Sequence, residues 1–187
     1  IATNTFLAAS AGAAIVMWLS YATTKKPDIM MACNGALAGL VAITGPCAYV
    51  PIWASVVIGL LAGLIMRGCV WFVECVFKVD DPLGAVSVHG ANGLWGLLAV
   101  GIFADGSYGG VNGLITGSGY QLLAQFIAMV TAIAWASAAG FAIFLGLKYS
   151  LGLRVPEYVE LEGLDLHTHG VECYPAEERY VGELEKV

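Results

Sequence analysis

The sequence predicts an all-α membrane protein, a polytopic bundle of transmembrane helices. Of its residues, 59% are hydrophobic and only 12% are charged, whereas charged residues make up about 25% of an ordinary soluble domain. The mean hydropathy is +0.80. Apolar runs of about 18 or more residues recur between turn signals, as expected of helices that cross a bilayer. Runs of this length without period-two alternation exclude a transmembrane β-barrel.

Turn signals divide the apolar sequence into five predicted spans. "TTKKPD" ends the first span, and "GP" closes the second, which is rich in glycine and alanine. The third is longer than a perpendicular crossing needs, so we expect it to tilt or project from the bilayer. "DDP" opens the fourth span, and the glycine-rich loop "DGSYGGVNGLITGSG" separates it from the fifth. The predicted spans are residues 5–22, 29–44, 51–77, 83–104 and 120–149.

The distribution of lysine and arginine predicts the orientation. Lys25, Lys26 and Lys78 lie in the first and third connections, Lys148 lies at the end of the fifth span, and Arg154 follows it. By the positive-inside rule these connections and the C-terminus are cytoplasmic, so with five crossings the N-terminus is outside. Since the chain starts almost at a span, without Met or a leader, we expect it to be the later part of a longer protein.

The formal charge is confined to the C-terminal segment. Residues 152–187 hold nine acidic and three basic residues, hence 3 − 9 = −6, while residues 1–151 hold five of each. The sequence therefore predicts a membrane part, 1–151, followed by an acidic cytoplasmic tail, 152–187. One interpretation is a solvated tail that aids solubility. The other is a docking segment, because "GLRVPEYVELEGLDLHTHG" mixes apolar residues with its charges.

Several function classes lack their residue patterns. The five cysteines show no CxxC spacing and are interpreted as apolar filler rather than as a metal or redox site. A nucleotide-binding loop and a Ser/His/Asp constellation are absent from the sequence. Basic residues are too few and too dispersed for a nucleic-acid surface. We therefore expect neither an enzyme nor a cofactor, metal or nucleic-acid partner.

Polar residues inside a membrane span are functional candidates by default. Asn4 is interpreted as a cap or interfacial group at the outer end of the first span. Asn34 is predicted to hydrogen-bond across a close helix contact, in preference to contacting a substrate. Arg67 and Glu74, seven residues apart, are expected to share a face near the cytoplasmic end.

His89 is the strongest candidate because of its depth. If Asp80 or Asp81 caps the fourth helix at the interface, about 1.5 Å per residue places His89 roughly 13 Å inside a core about 30 Å thick. Burial there disfavours the charged imidazolium. A haem site is disfavoured because His167 and His169 lie in the tail. A hydrogen-bonded structural histidine and a histidine lining a conduction path remain equally good interpretations on these grounds.

Three segments resemble the ammonium transporter family (Amt/Mep, related to Rhesus glycoproteins). They are "KPDIMMACNGALAGLVAITGPCAYV", "VDDPLGAVSVHGANGLWGLLAVGIFADG" and "GLRVPEYVELEGLDLHTHG", and within them "DDPxxxxxxHG" is the most specific motif. The resemblance implies an eleven-span fold of two inverted five-helix repeats plus a last long helix, assembled as a homotrimer with one pore per subunit. The present chain corresponds to spans seven to eleven.

The resemblance also implies residue roles. His89 corresponds to the second of two paired pore histidines, whose partner, phenylalanine gate and outer cation-binding aromatic belong to earlier spans. Ala85 is a small neighbour that would leave room for the permeant molecule, although ordinary helix packing explains it equally well. Asp80 and Asp81 are interpreted as caps of the fourth helix rather than as substrate ligands.

The family's C-terminal segment lies against the cytoplasmic face, contacts the neighbouring subunit and, in many bacteria and archaea, helps to dock a trimeric PII signalling protein. The resemblance to the family ends at "VECYPAEERYVGELEKV". The candidate regulatory residues are Arg154, Glu162, Gly163, Asp165, His169 and Gly170.

These features lead to two hypotheses for a multi-pass protein of the plasma membrane. The first is a transporter or channel that selects ammonium and conducts ammonia, with or without a relayed proton. The second is an ammonium sensor, in which the same membrane domain signals to a cytoplasmic output module.

Overall fold

The computed structural model describes residues 1–171, apart from the side chain of Glu162. It confirms the predicted all-α fold. Two π-helical segments, Phe72–Val76 and Val86–Ala91, interrupt or open the longer helices, and a short 3₁₀ turn precedes the fifth. The α-helices are α1 (Ala2–Thr24), α2 (Ile29–Ile43), α3 (Ile52–Trp71), α4 (Asn92–Phe103), α5 (Tyr120–Ser150), α6 (Glu157–Glu162) and α7 (Leu164–His169).

Within the described part of the chain, four helices are long and apolar enough to cross a bilayer. They correspond to the first, third, fourth and fifth predicted spans. The helix of the second span, α2, has only 15 residues, which at about 1.5 Å per residue is shorter than a hydrocarbon core of about 30 Å. A crossing by this segment therefore stays a prediction.

The chain forms two compact units, Ile1–Trp135 and Ala136–Val187. The first contains α1 to α4, both π segments and the beginning of α5. The second contains the rest of α5 and the tail helices α6 and α7. No residue of α5 is buried within the described chain.

Glycines allow the helices of the first unit to approach one another closely. Gly59 of α3 packs directly on the backbone of Ala8 in α1, and Gly35 of α2 packs on Gly12. A methyl group at Gly35 would lie only 2.6 Å from the carbonyl oxygen of Gly12. Small residues at these crossings maximise backbone packing, which drives helix association where both helices and lipid are apolar.

Asn4 is buried and does not cap α1, which has no side-chain cap hydrogen bond. It is only 6% exposed, and its amide donates to the carbonyl oxygens of Cys47 (3.0 Å) and Val50 (2.9 Å). Both acceptors belong to the connection between α2 and α3. Asn4 therefore links the start of α1 to this connection by two hydrogen bonds. Only the tertiary structure reveals this role, because the acceptors are distant in the sequence.

The fourth span begins later than predicted. Residues 81–84 form a turn, and Gly84 has a φ of +68°, a left-handed conformation that a right-handed helix does not contain. The π segment then starts at Val86, three residues before His89 instead of the expected six (89 − 83). The predicted depth of His89 assumed a continuous helix from Asp80 or Asp81. Because the helix starts later, that depth has to be argued from other contacts.

The tail part of the second unit folds into two short helices. Gly163, with a φ of +102°, joins α6 to α7, and Gly170, with a φ of +68°, ends α7. Val159 is only 4% exposed, and the rings of Tyr158 and His167 meet edge to face at 5.8 Å. The other large apolar residues of the described tail remain exposed, among them Leu161 (82%) and Leu166 (55%). Most of the divergent ending, residues 172–187, lies outside the described residues.

Candidate functional site

His89 lies in the middle of the second π segment, Val86–Ala91. Its side chain is exposed on the surface of the first unit, as are its neighbours Ala85, Val86 and Gly90. The imidazole forms no hydrogen bond to any described residue. The ring is therefore accessible to residues outside the described chain and is not buried between the helices.

The opposite side of the same segment is buried and polar. Ser87 and Asn92 are both fully buried, and the Asn92 amide donates to the Ser87 carbonyl oxygen at 2.9 Å. The Ser87 hydroxyl and the Asn92 side-chain oxygen have no hydrogen-bond partner within residues 1–171. Next to them, the indole N–H of Trp95 donates to the carbonyl of Ile58 in α3 at 3.2 Å.

Asn92 was not among the residues predicted from the sequence. The available signal was a second polar side chain in an apolar helix, three residues after His89. It was weak because a buried asparagine and a surface asparagine have the same appearance in sequence. The π-helical geometry that brings the Asn92 amide to the Ser87 carbonyl is not marked by any residue pattern in the sequence.

Asp81 and Asn34 fix the turn that precedes the π segment. The buried Asp81 carboxylate accepts from the amide of Val86 at 3.2 Å and 3.4 Å. It thus caps the start of the segment from five residues away and not from the N-cap position, which Ala85 occupies. The amide of Asn34 in α2 donates to the carbonyl of Leu83 at 3.3 Å. Asp80 is exposed and makes no hydrogen bond within the described range. The two aspartates therefore have different surroundings.

A cavity of about 160 Å³ adjoins this turn. Asp28, Asn34, Glu74 and Asp81 contribute its polar lining, together with apolar atoms of α2 and α3. Asp28 also accepts from the amide of Met31 at 3.0 Å and so caps α2. The lining of the cavity includes no basic side chain. His89 does not line this cavity.

The remaining predicted site residues occupy two regions. Ala85 is exposed four residues before His89, but the π segment lies between them, so the i, i+4 spacing of an α-helix does not establish a shared face. Its role as a pore neighbour stays a prediction. The tail candidates all belong to the second unit, at α6, α7 and the residues flanking them, and their regulatory role stays a prediction. These are Arg154, Glu162, Gly163, Asp165, His169 and Gly170.

Comparisons with known sequences identify relatives over nearly the whole chain. The sequence model of the Ammonium Transporter Family matches residues 1–174. Ammonium transporter Amt2 of Archaeoglobus fulgidus is 48% identical over 182 residues, which cover 94% of this chain and 39% of that protein. The ammonium transporter of Bacillus subtilis is 36% identical, over 91% of this chain and 43% of that protein.

Solved structures give the same relationship. The Sensor Amt Protein is 34% identical with a TM-score of 0.79, over 89% of this chain and 41% of that chain. Saccharomyces cerevisiae Mep2 is 29% identical with a TM-score of 0.77, over 83% of this chain and 37% of that chain. The chain thus spans about two fifths of the length of these relatives. Together with its apolar helices, the matches make it a multi-pass membrane protein, and the chain belongs to the Ammonium Transporter Family.

Proposed function

We propose that this chain forms spans seven to eleven of an ammonium transporter or channel and that His89 lines its conduction path. The observation that carries the proposal is the family match over residues 1–174. The exposure of His89 supports it, because a polar ring at the surface of an otherwise apolar helix needs a polar neighbour or path beside it. In the proposed assembly the earlier spans supply that neighbour, including the paired histidine.

The geometry of the turn before the π segment supports a deep position for His89. Asn34, which holds this turn, is five residues into α2 (34 − 29), or about 7 Å along the helix axis. His89 is a further five residues beyond Gly84, which adds about 7 Å. The sum of about 14 Å is near the middle of a core about 30 Å thick. The turn therefore carries the start of the fourth span into the bundle.

A neutral histidine at this depth suits the selection of ammonium. Moving NH₄⁺ through a dry path requires a large desolvation free energy, whereas neutral NH₃ is desolvated easily. In the proposed mechanism NH₄⁺ gives up its proton before the constriction, NH₃ passes beside the histidine pair, and the imidazoles accept and relay the proton. Each neutral ring provides one donor and one acceptor for this relay. Potassium carries no transferable proton and is rejected.

A second candidate function is ammonium sensing. It is favoured by the similarity to a solved structure named Sensor Amt Protein, which covers 89% of this chain at 34% identity. In that case the membrane domain binds the ligand and passes a conformational signal to a cytoplasmic module. Saturable methylammonium uptake by the complete protein supports the transporter, whereas ligand binding without uptake supports the sensor.

We further propose a homotrimer in the plasma membrane with a cytoplasmic C-terminus. The acidic tail is then available to a neighbouring subunit or to a PII-type signalling protein. Exposed apolar side chains in α6 and α7 support a docking role over that of a purely solvated appendage, since Leu161, Leu164 and Leu166 have no cover within the described residues.

Substitution of His89 tests the central proposal. In the complete transporter, His89→Ala removes the donor and acceptor of the relay, so we expect the ratio of methylammonium uptake to potassium uptake to change by about tenfold or more. His167→Ala is the matched control, because it removes an exposed histidine of α7 that is outside the span and is not among the candidate regulatory residues. Wild-type selectivity in the His89→Ala protein would contradict the relay.

A further inference from the structure

The π segment places Ser87 and Asn92 on the same buried side. Successive residues of an α-helix are about 100° apart, so residues at i and i+5 lie about 140° apart and face different directions. A π-helix hydrogen-bonds each residue to the one five positions earlier, which brings the directions of i and i+5 closer together than in an α-helix. Ser87 and Asn92 are five apart, and both are fully buried. Both residues lie on the packed side of the segment together with Val88, which is four residues before Asn92.

The side chain of Asn92 makes a hydrogen bond that matches this register. Its amide donates to the carbonyl of Ser87 at 2.9 Å, while its backbone N–H donates to the carbonyl of His89. The Ser87 carbonyl, five residues earlier, is the acceptor that the π register assigns to residue 92. The side chain thus supplies a donor across the π turn that contains His89.

Stability alone does not explain an asparagine at this position. Its side-chain oxygen is buried and unpartnered within residues 1–171. Leaving a buried amide oxygen without a partner costs more than a single buried hydrogen bond typically contributes. An apolar side chain of similar size would avoid this cost. Local violations of packing rules of this kind are concentrated at functional sites.

We infer that Asn92 is a positioning residue that holds the π register and thereby sets the direction of the His89 ring. If the segment relaxed to an α-helix, one residue of register would be lost, and side chains on either side of the change would rotate by about 100° relative to each other. His89 lies between Ser87 and Asn92 and would move with this change. The expected effect on transport rests on the proposed function of His89. The claim that Asn92 holds the π register does not depend on that function.

The test compares Asn92→Leu with Ser87→Ala in the complete transporter. Asn92→Leu removes the donor at similar size, whereas Ser87→Ala removes an unpartnered hydroxyl and keeps the Ser87 carbonyl. For Asn92→Leu we expect the methylammonium-to-potassium uptake ratio to change by about tenfold, in the direction caused by His89→Ala. Ser87→Ala should remain within about twofold of wild type. A residue that only supports folding would lower the amount of folded protein and leave this ratio unchanged.

A structure of the Asn92→Leu protein tests the geometry separately. We expect the π segment to be replaced by α-helix and the His89 ring to be displaced. A retained π segment, or wild-type selectivity in Asn92→Leu, would overturn the inference. If Asn92→Leu does not fold, Asn92→Ala, which introduces no additional bulk, is judged by the same two measurements. Wild-type selectivity in His89→Ala would instead refute the proposed function, and the structural comparison would still decide the role of Asn92.

Discussion

Replacement of Gly59 by alanine tests whether close helix packing determines the stability of the first unit. The new Cβ would overlap the carbonyl oxygen of Ala8 and lie 2.7 Å from its Cα and 2.8 Å from its carbonyl carbon. Ordinary contact begins near 3.4 Å, so α1 and α3 must separate locally by at least 3.4 − 2.7 = 0.7 Å. All three atoms belong to the backbone, so no rotamer change relieves the overlap.

The magnitude follows from two opposing contributions. Overpacking of this kind costs about 1–3 kcal/mol, while Gly to Ala in a helix interior contributes about 0.8–1 kcal/mol of stability. Gly68 is the matched control because it lies in the same helix, α3, and a Cβ added there would meet no atom of residues 1–171 within 4 Å apart from its chain neighbours and the nearby backbone of α3. Gly68→Ala gains the propensity contribution without the overlap. We therefore expect Gly59→Ala to be less stable than Gly68→Ala by about 1–3 kcal/mol.

Equilibrium unfolding of both variants in mixed micelles, with a denaturing detergent as titrant, measures this difference. Similar unfolding free energies for the two variants, within about 0.5 kcal/mol, would refute the argument that backbone contact between α1 and α3 limits the side chain at residue 59. A large loss in both variants would also refute it, since Gly68 makes no such contact.

Two further substitutions address the polar ties at the ends of the bundle. Asn4→Ala removes the donor to two carbonyls in the α2–α3 connection and should lower the free energy of unfolding by about 1–3 kcal/mol. The control, Asn112→Ala, removes an exposed loop contact and should have little effect. Equal losses in the two variants would contradict the role assigned to Asn4. Asp81→Ala removes the acceptor for the amide of Val86 and should cost about 0.5–2 kcal/mol. Thermal unfolding should show a smaller loss for Asp80→Ala, and the reverse order would contradict the assignment of the cap to Asp81.

The spans were predictable because composition determines the solvent. A chain with 12% charged residues hydrogen-bonds its backbone internally once it is in hydrocarbon, so its long apolar runs become helices. The predicted fifth span, 120–149, accordingly agrees with Tyr120–Ser150 to within one residue. Agreement was poorer for the fourth span, because Gly84 adopts a left-handed conformation that the proline-containing turn signal did not reveal.

By itself the sequence determined the helical membrane fold, the family resemblance and the choice of His89 as the central candidate. Tertiary structure alone decided the burial of Asn4, the contact of Asn34 with the turn before His89 and the π register across His89. The physical reason is that hydropathy and helix propensity act along the chain, over one or two turns. A buried amide finds its acceptors only when distant segments meet, as Asn4 does across 43 and 46 residues.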